Sequence, residues 1–342
     1  MAGTVLVTGG TGYIAGELIG QLLDSGWKVR TTVRDMAAGG GRLRGRFPQA
    51  GDDLAIMKAD LLSDDGWAEA MKGCDAVAHV ASPFPMGVPK DEDELIRPAR
   101  EGTLRVLRFA REAGVTRFVQ TSSAAAIAYD HDSDRTHFDH TDWTDVTDPK
   151  VAPYAKSKTL AEFAARDWVR DNAPDMVYCS VNPVAVLGPV HDEDLSTSIE
   201  FVKKALDGSM PMIPHVGVGI VDVRDVAALH VKALEAEAEK VRGERFAASG
   251  PFIWLEQITE VLRSRLPERE TRKVPTTRMP GFAVPILAVF MPEMRQLRTE
   301  TGRVRVIDSS HAENVLGWTM RDCTQTIVDT ARSLIDQRIV KV

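Results

Sequence analysis

At 342 residues, 44% hydrophobic and 27% charged, the chain has the length for one large domain or two and the balance of a soluble globular protein. A formal net charge of -7, with no basic cluster interleaved with aromatics, excludes nucleic acid and anionic membranes as general partners. Cys74, Cys179 and Cys323 lie far apart without metal spacing, no leader-like segment opens the chain, and the longest apolar run (282–291) is short and holds Pro285, so a reduced, cytoplasmic protein is expected.

Residues 5–7, Val-Leu-Val, read as a first strand. Thr8-Gly9-Gly10-Thr11-Gly12-Tyr13-Ile14-Ala15 follows, and Leu18, Ile19, Leu22 and Leu23 continue as a helix. Strand, tight glycine turn and helix in this order form a cradle for a dinucleotide pyrophosphate. Gly9 permits the turn, Gly12 lets the backbone approach the phosphates, and the small Ala15 lets the helix pack on the sheet. The helix start turns free N–H groups and a positive dipole end toward the anion.

A second strand covers 29–33. An acidic residue near its end would bind the ribose hydroxyls of NAD, but the position about twenty residues past Gly12 is Val33. Arg34 and Asp35 come next, with Arg42 and Arg44 nearby. A guanidinium grips a 2′-phosphate through paired hydrogen bonds, which favours NADP(H) over NAD(H). The competing reading is a surface Arg34 paired with Asp35. Residues 37–41 read as a flexible loop.

A third strand (54–58) ends at Asp60-Leu61, a position that borders the adenine, and a helix with Trp67, Ala70 and Met71 follows. The fourth strand (75–81) holds His79, which reads as a packed core residue and not a catalyst. The loop Ser82-Pro83-Phe84-Pro85-Met86 leaves the C-terminal sheet edge, where ligands gather in open parallel sheets. A helix over 93–113 leads to a fifth strand (115–121) ending in Ser122-Ser123. This alternation predicts an α/β fold, a Rossmann-type doubly wound parallel sheet.

The stretch 129–149 carries seven aspartates with His131, His137 and His140. No spacing matches a metal motif, so it reads as a solvated loop, placed as a lid over the site, and no metal is expected. A helix over 151–171 puts Tyr154, Lys158, Ala161, Ala165 and Trp168 on one face. That face is mostly small and apolar, so the tyrosine and lysine at its head point inward, and an inward lysine is unusual without a reason. Then come a strand at 176–181, Asn182-Pro183, Leu187-Gly188-Pro189, a helix near 199–206, a strand and capped helix from 217, and a strand at 245–248. Proline-rich helix fragments (256–291) and a terminal helix (322–337) complete the chain. Residues 1–188 are thus expected to form the cofactor domain, with 217–249 adding sheet elements, and 189–342 mainly a smaller C-terminal substrate-binding lobe. Phe84, Met86, Trp143, Leu187, Met210 and Met212 are candidates for an apolar pocket wall, suited to an aromatic or aliphatic aldehyde or ketone.

Tyr154-Ala155-Lys156-Ser157-Lys158 sets the chemistry. A free tyrosine has a pKa of about 10. An ammonium one helical turn away stabilises tyrosinate, so the phenol can exchange a proton with a carbonyl oxygen or alcohol near neutral pH. Ser123 would hydrogen-bond the same oxygen, and a nicotinamide would carry the hydride.

These segments together resemble the extended branch of the short-chain dehydrogenase/reductase superfamily over nearly the whole chain. The strand 75–81 resembles its Asp-x-x-x-His-x-Ala, and Glu101-Gly102-Thr103 the Gly-Thr of its next helix. Thr32-Val33-Arg34-Asp35, Lys58-Ala59-Asp60-Leu61, Val80-Ala81-Ser82-Pro83, Lys158-Thr159-Leu160-Ala161-Glu162, Asn182-Pro183 and Leu187-Gly188-Pro189 are similar to the dihydroflavonol-4-reductase and aldehyde/ketone reductase subgroup. With the reading above, the resemblance implies catalytic Ser123, Tyr154 and Lys158. It implies NADP(H) contacts at Gly9, Thr11, Gly12, Tyr13, Ile14, Arg34, Asp60, Leu61, Val80, Ala81, Ser82, Tyr154, Lys158, Pro183 and Val186. Ser123, Phe84, Met86 and Leu187 would face a small carbonyl substrate. The subgroup's second basic phosphate contact, a lysine after Arg34, is not aligned, and Arg42 stands in by position only.

The expected function is NADPH-dependent reduction of an aldehyde or ketone. One rival is an NAD-dependent nucleotide-sugar epimerase of the same superfamily, which would want an acid near Val33. Another is a non-enzymatic NADP(H) sensor, whose relatives tend to lose the tyrosine and lysine that this chain keeps. Monomer and homodimer are both open.

Overall fold

The computed structural model describes residues 3–82, 91–129, 134–191, 195–281 and 300–341. The first half runs β1 (Thr4–Val7), α1 (Tyr13–Asp24), β2 (Lys28–Val33), α2 (Ala38–Arg46), β3 (Leu54–Lys58), α3 (Trp67–Met71), β4 (Ala76–His79), α4 (Asp93–Glu112), β5 (Arg117–Thr121), β6 (His137–Phe138) and α5 (Pro153–Asn172). The second runs β7 (Val177–Pro183), β8 (Ala185–Leu187), α6 (Thr197–Asp207), β9 (Gly217–Asp222), α7 (Val223–Glu235), α8 (Ala238–Val241), β10 (Arg245–Ala248), β11 (Phe252–Trp254), α9 (Leu255–Arg265), α10 (Glu268–Thr271) and β12 (Val306–Ile307). Helices at Ser310–Leu316 and Cys323–Asp336 follow.

Side-chain alternation along the strands builds the layers. On β1, Val5 and Val7 join a core that includes Leu18, Ile19, Val226 and Leu229 of α1 and α7, while Leu6 joins Trp67, Leu107 and Ala165 of α3, α4 and α5 on the other face. On β5, Val119 and Phe118 divide the same way. The strands stand in the order β10-β7-β5-β4-β1-β2-β3, every neighbouring pair parallel. The winding reverses between β1 and β4, which opens a crevice at their C-terminal ends, the usual ligand position in such a sheet.

Four expectations need correction. Residues 37–41 are no loop, because α2 starts at Ala38. Glycines disfavour a helix, but Asp35 Oδ1 accepts from the N–H groups of Ala37 and Ala38 (2.8 and 3.1 Å) and Leu43 is buried. The glycines give close approach instead: a Cβ on Gly39 would stand 3.1 Å from Thr11 and Val33. The stretch after Tyr129 is only partly a solvated loop. Its Phe138 and Thr144 are buried, and β6 pairs in parallel with β12. His131 lies outside the described residues, as do Phe84, Met86 and the whole apolar run at 282–291. Within 217–249, β10 extends the main sheet, but β9 pairs with β8 and β11 in a separate three-stranded sheet.

The last correction concerns Leu187. It is 2% exposed and belongs to a third core, with Ile199, Val202, Leu262 and Ile327 from α6, α9 and the C-terminal helix. Met210 packs against the same core. Leu187 therefore serves packing here, not a pocket wall. Leu187→Ala is expected to lower the unfolding free energy by about 2–5 kcal/mol. Denaturant unfolding checks this, and a change in substrate KM with unaltered stability would restore Leu187 to the pocket.

Candidate active site

The crevice is built at the end of β1. Thr8 is fully buried, and its hydroxyl accepts from the N–H groups of Val80 and Ala81 (3.0 and 2.9 Å) and pairs with His79 Nδ1 at 3.0 Å. This locks the end of β4 beside the glycine turn. Gly9 has φ +71°, and a Cβ there would meet the Cβ of Ala81 at 2.9 Å, so only glycine fits. His79 also reaches Thr103 Oγ1 (3.3 Å), and burial pushes its imidazole down to about 3, with the Lys158 charge adding to the effect. It is a neutral packing residue.

Among the described residues no side chain caps α1, so the N–H groups of its first turn point into the crevice. Arg42 Nη2 donates to the Thr11 carbonyl at 3.1 Å, which brings α2 across the glycine turn. Arg34 is exposed at the end of β2, while the carboxylate of Asp35 is turned to the start of α2. Past β3, Trp67 Nε1 donates to the Asp60 carbonyl (3.0 Å) and Asp60 Oδ1 accepts from Leu62 N–H (2.9 Å), fixing the Asp60-Leu61 rim. The Tyr13 side chain packs between two cores, and its buried hydroxyl has no partner among the described residues. The unfilled helix start, the crowded Gly9 and the two guanidinium groups fit a phosphorylated dinucleotide.

Pro153 occupies the first position of α5, where its fixed φ favours helix and its missing N–H costs nothing. Tyr154 thus falls in the first turn and Lys158 one turn on. Lys156 points away and pairs with Glu92 at 2.8 Å, whereas Lys158 is 9% exposed with its Nζ 5.8 Å from the Tyr154 ring centre. Ser123, just past β5, has an extended backbone, accepts from Ala125 N–H at 3.1 Å and is hydrogen-bonded to Tyr154. Ser123, Tyr154 and Lys158 are therefore one cluster.

Electrostatics here differ from the simple expectation. Burial pushes the Tyr154 phenol above its ordinary value, and the bond from Ser123 draws it partly back. Burial lowers Lys158 to about 8, against the opposing pull of Glu162. At neutral pH the pair holds a protonated phenol beside an ammonium. That is the state suited to giving a proton, not taking one.

Sequence reasoning missed three neighbours. Glu162, one turn past Lys158, is fully buried and accepts from Ser122 (2.5 Å), Ser180 (2.8 Å), Asn182 (2.9 Å) and Arg245 Nε (2.7 Å). Its position eight residues past Tyr154, on the inward face, was a readable signal. Arg245 was not readable, since only the sheet order brings β10 there. Tyr129 is the third: Arg305 lies 4.3 Å over its ring, and burial, aided by Glu300, pushes its phenol up to about 12. Trp143, a candidate wall residue, instead stacks on Phe163 (4.1 Å) and Arg245 (3.5 Å).

His140, Glu244 and His311 bring ligand atoms within 4.8 Å of one another. The two imidazoles stack at 3.8 Å and 6°, and His311 Nε2 bonds Glu244 at 2.8 Å. An ion in the plane of one ring would lie out of the plane of the other, so the arrangement is a stacked pair and not a preformed metal site. No helix among the described residues is long and apolar enough to cross a membrane.

A parallel sheet with a glycine cradle at its switch point and a Ser-Tyr-Lys cluster beside it defines a nucleotide-dependent enzyme. Residues 5–248 match the NAD dependent epimerase/dehydratase family, and the chain belongs to it, among the extended short-chain reductases related to plant dihydroflavonol, cinnamoyl-CoA and anthocyanidin reductases and to fungal ketoreductases. Ketoreductase azaE of Aspergillus niger is 31% identical, over 98% of this chain and 99% of its own. Dihydroflavonol 4-reductase of Zea mays is 33% identical, over 82% of this chain and 78% of its own. The crystal structure of yeast methylglyoxal/isovaleraldehyde reductase Gre2 with NADPH superposes with a TM-score of 0.80 at 25% identity, covering 98% of this chain and 99% of that one.

Proposed function

We propose that the chain is an NADPH-dependent reductase of aldehydes or ketones, with Tyr154 as proton donor, Lys158 as its charge partner and Ser123 polarising the carbonyl. The observation that carries this is the Ser123–Tyr154–Lys158 cluster, with serine and lysine buried and the tyrosine half-buried, beside the switch-point crevice. The bound cofactor supplies the hydride. Ser123 and the Tyr154 hydroxyl hold the carbonyl oxygen and sharpen the charge on its carbon. As the oxygen becomes an alkoxide, the Tyr154 proton moves to it. The Lys158 ammonium, fixed within 5.8 Å of the ring centre, stabilises the tyrosinate left behind.

Arg34, exposed past β2, and Arg42, bonded to the glycine turn, would flank the 2′-phosphate, and the glycine turn with α1 would hold the pyrophosphate. Asp60 and Leu61 would border the adenine, Val80, Ala81, Ser82, Pro183 and Val186 the nicotinamide side. The half from 189 to 342 would close the substrate side. An epimerase of this family would want an acid where Val33-Arg34 stand, and a sensor has no use for a buried lysine beside a phenol. A cytoplasmic location accords with the three free thiols.

Tyr154→Phe keeps the ring and removes the proton. Its kcat for carbonyl reduction is expected to fall by about 10²–10⁴-fold with cofactor affinity retained, and steady-state kinetics with cofactor titration check it. Full activity in this variant would sink the mechanism. The pH profile follows from the lysine. Lys158 is charged below about 8, so reduction is expected to hold its rate up to that pH and to decline above it as the ammonium is lost. A rate that rises through pH 8–9 in the reductive direction would contradict that assignment.

A further inference from the structure

The carboxylate of Glu162 lies outside the reacting cluster, yet it touches every element that supplies it. It sits on α5, one turn beyond Lys158. Oε2 accepts from Ser122, the neighbour of Ser123, and from Asn182 Nδ2 (2.9 Å), which also donates to the Ser123 carbonyl at 3.2 Å. Oε1 accepts from Ser180 on β7 and from Arg245 Nε on β10. The same guanidinium donates to the carbonyls of Ala126 (3.1 Å), His140 (2.9 Å) and Asp142, and its face covers Trp143. The pair is 0% and 4% exposed, so salt in the solvent screens it far less than a surface pair.

A buried ion pair is weak evidence for stability, since apolar residues of like volume often do as well. Its retention here needs another account, and the contacts supply one. We infer that Glu162 is a positioning residue: it fixes Ser123 through Ser122 and Asn182, and it places an anion one helical turn from Lys158. Arg245 is the counter-charge that lets an ionised carboxylate stay at this depth. This rests on the reductase reading and adds the device that sets its geometry and working pH.

The charges around Lys158 make the inference specific. From α5 it feels the charge of Glu162 and lies 5.8 Å from the Tyr154 ring centre, and the neutral His79 of β4 is the other titratable group coupled to it. Arg245, on β10, acts on Glu162. Burial disfavours the Glu162 charge, but the Arg245 charge and the hydrogen bonds of Arg245, Ser122 and Asn182 outweigh it and hold the carboxyl below its usual range. Glu162 is thus the anion that opposes the loss of the Lys158 proton.

Glu162→Gln keeps the shape and removes the charge, whereas Ser122→Ala keeps the charge and removes one link to Ser123. The first readout needs no cofactor: the Lys158 titration, followed by NMR of the chain labelled with 13C-lysine. Glu162→Gln is expected to move that titration down by about one pH unit, and Ser122→Ala to leave it in place. The alkaline decline of reduction should move with it in Glu162→Gln only. At pH 7, kcat is expected to fall about 10–100-fold in Glu162→Gln and about 3–10-fold in Ser122→Ala, with little change in cofactor KM. The inference is overturned if Glu162→Gln melts at a lower temperature but keeps the wild-type Lys158 titration and kcat. Should Glu162→Gln fail to fold, a Ser122→Ala enzyme with wild-type kcat overturns it equally. Wild-type activity lost on Tyr154→Phe stands or falls apart from either result.

Discussion

A lysine ammonium held out of water is the constraint around which this chain is arranged. Charge in a protein interior is costly unless it is paired and hydrogen-bonded, and a lysine 9% exposed feels that cost directly. The structure answers with Glu162 one turn away, and Glu162 then needs its own partners. Arg245 and three side chains, Ser122 just past β5 and Ser180 and Asn182 of β7, supply them. The chain of compensation runs from the first turn of α5 through the sheet to its last strand. That is how Arg245, far away in sequence, comes to pair with Glu162.

The same logic governs the nucleotide side. The order of the strands puts the end of β1 beside the end of β4, and Thr8 fastens them with one hydroxyl. Gly9 can then lie against Ala81 with no side chain between, leaving the start of α1 open toward the crevice. The two halves of the site, cradle and Ser-Tyr-Lys cluster, therefore rest on one sheet edge. Their relative position is set by β1, β4, β5 and β7, whose residues are almost all buried.

The fold was legible because strand and helix periods alternate so regularly up to residue 183. Val5-Leu6-Val7, the glycine turn and the inward face of α5 all carry their meaning locally. Legibility failed where distant contacts decide. Three glycines in a row say loop, yet a buried Leu43 and an aspartate at the start make α2. Aspartates and histidines say solvent, yet Phe138 is buried and β12, some 170 residues on by the pairing of His137 with Val306, joins β6. In the site, Tyr154, Lys158 and Ser123 could be named from motifs. Arg245 and Arg305 could not, because a surface arginine and a buried one look alike until the sheet order is known. Leu187 and Trp143 show the converse: apolar residues near a site are as often its foundation as its wall.

The measurement that tests the account most directly is oxidation of NADPH and NADH, at matched concentrations, by the purified chain with a panel of aromatic and aliphatic aldehydes, ketones and diketones. The account predicts turnover to alcohols with NADPH clearly preferred, on the proposal that the exposed Arg34, with Arg42 bonded to the glycine turn, would meet the 2′-phosphate. No turnover of any carbonyl, in a chain that still binds NADPH, would contradict it and return weight to the epimerase and sensor readings.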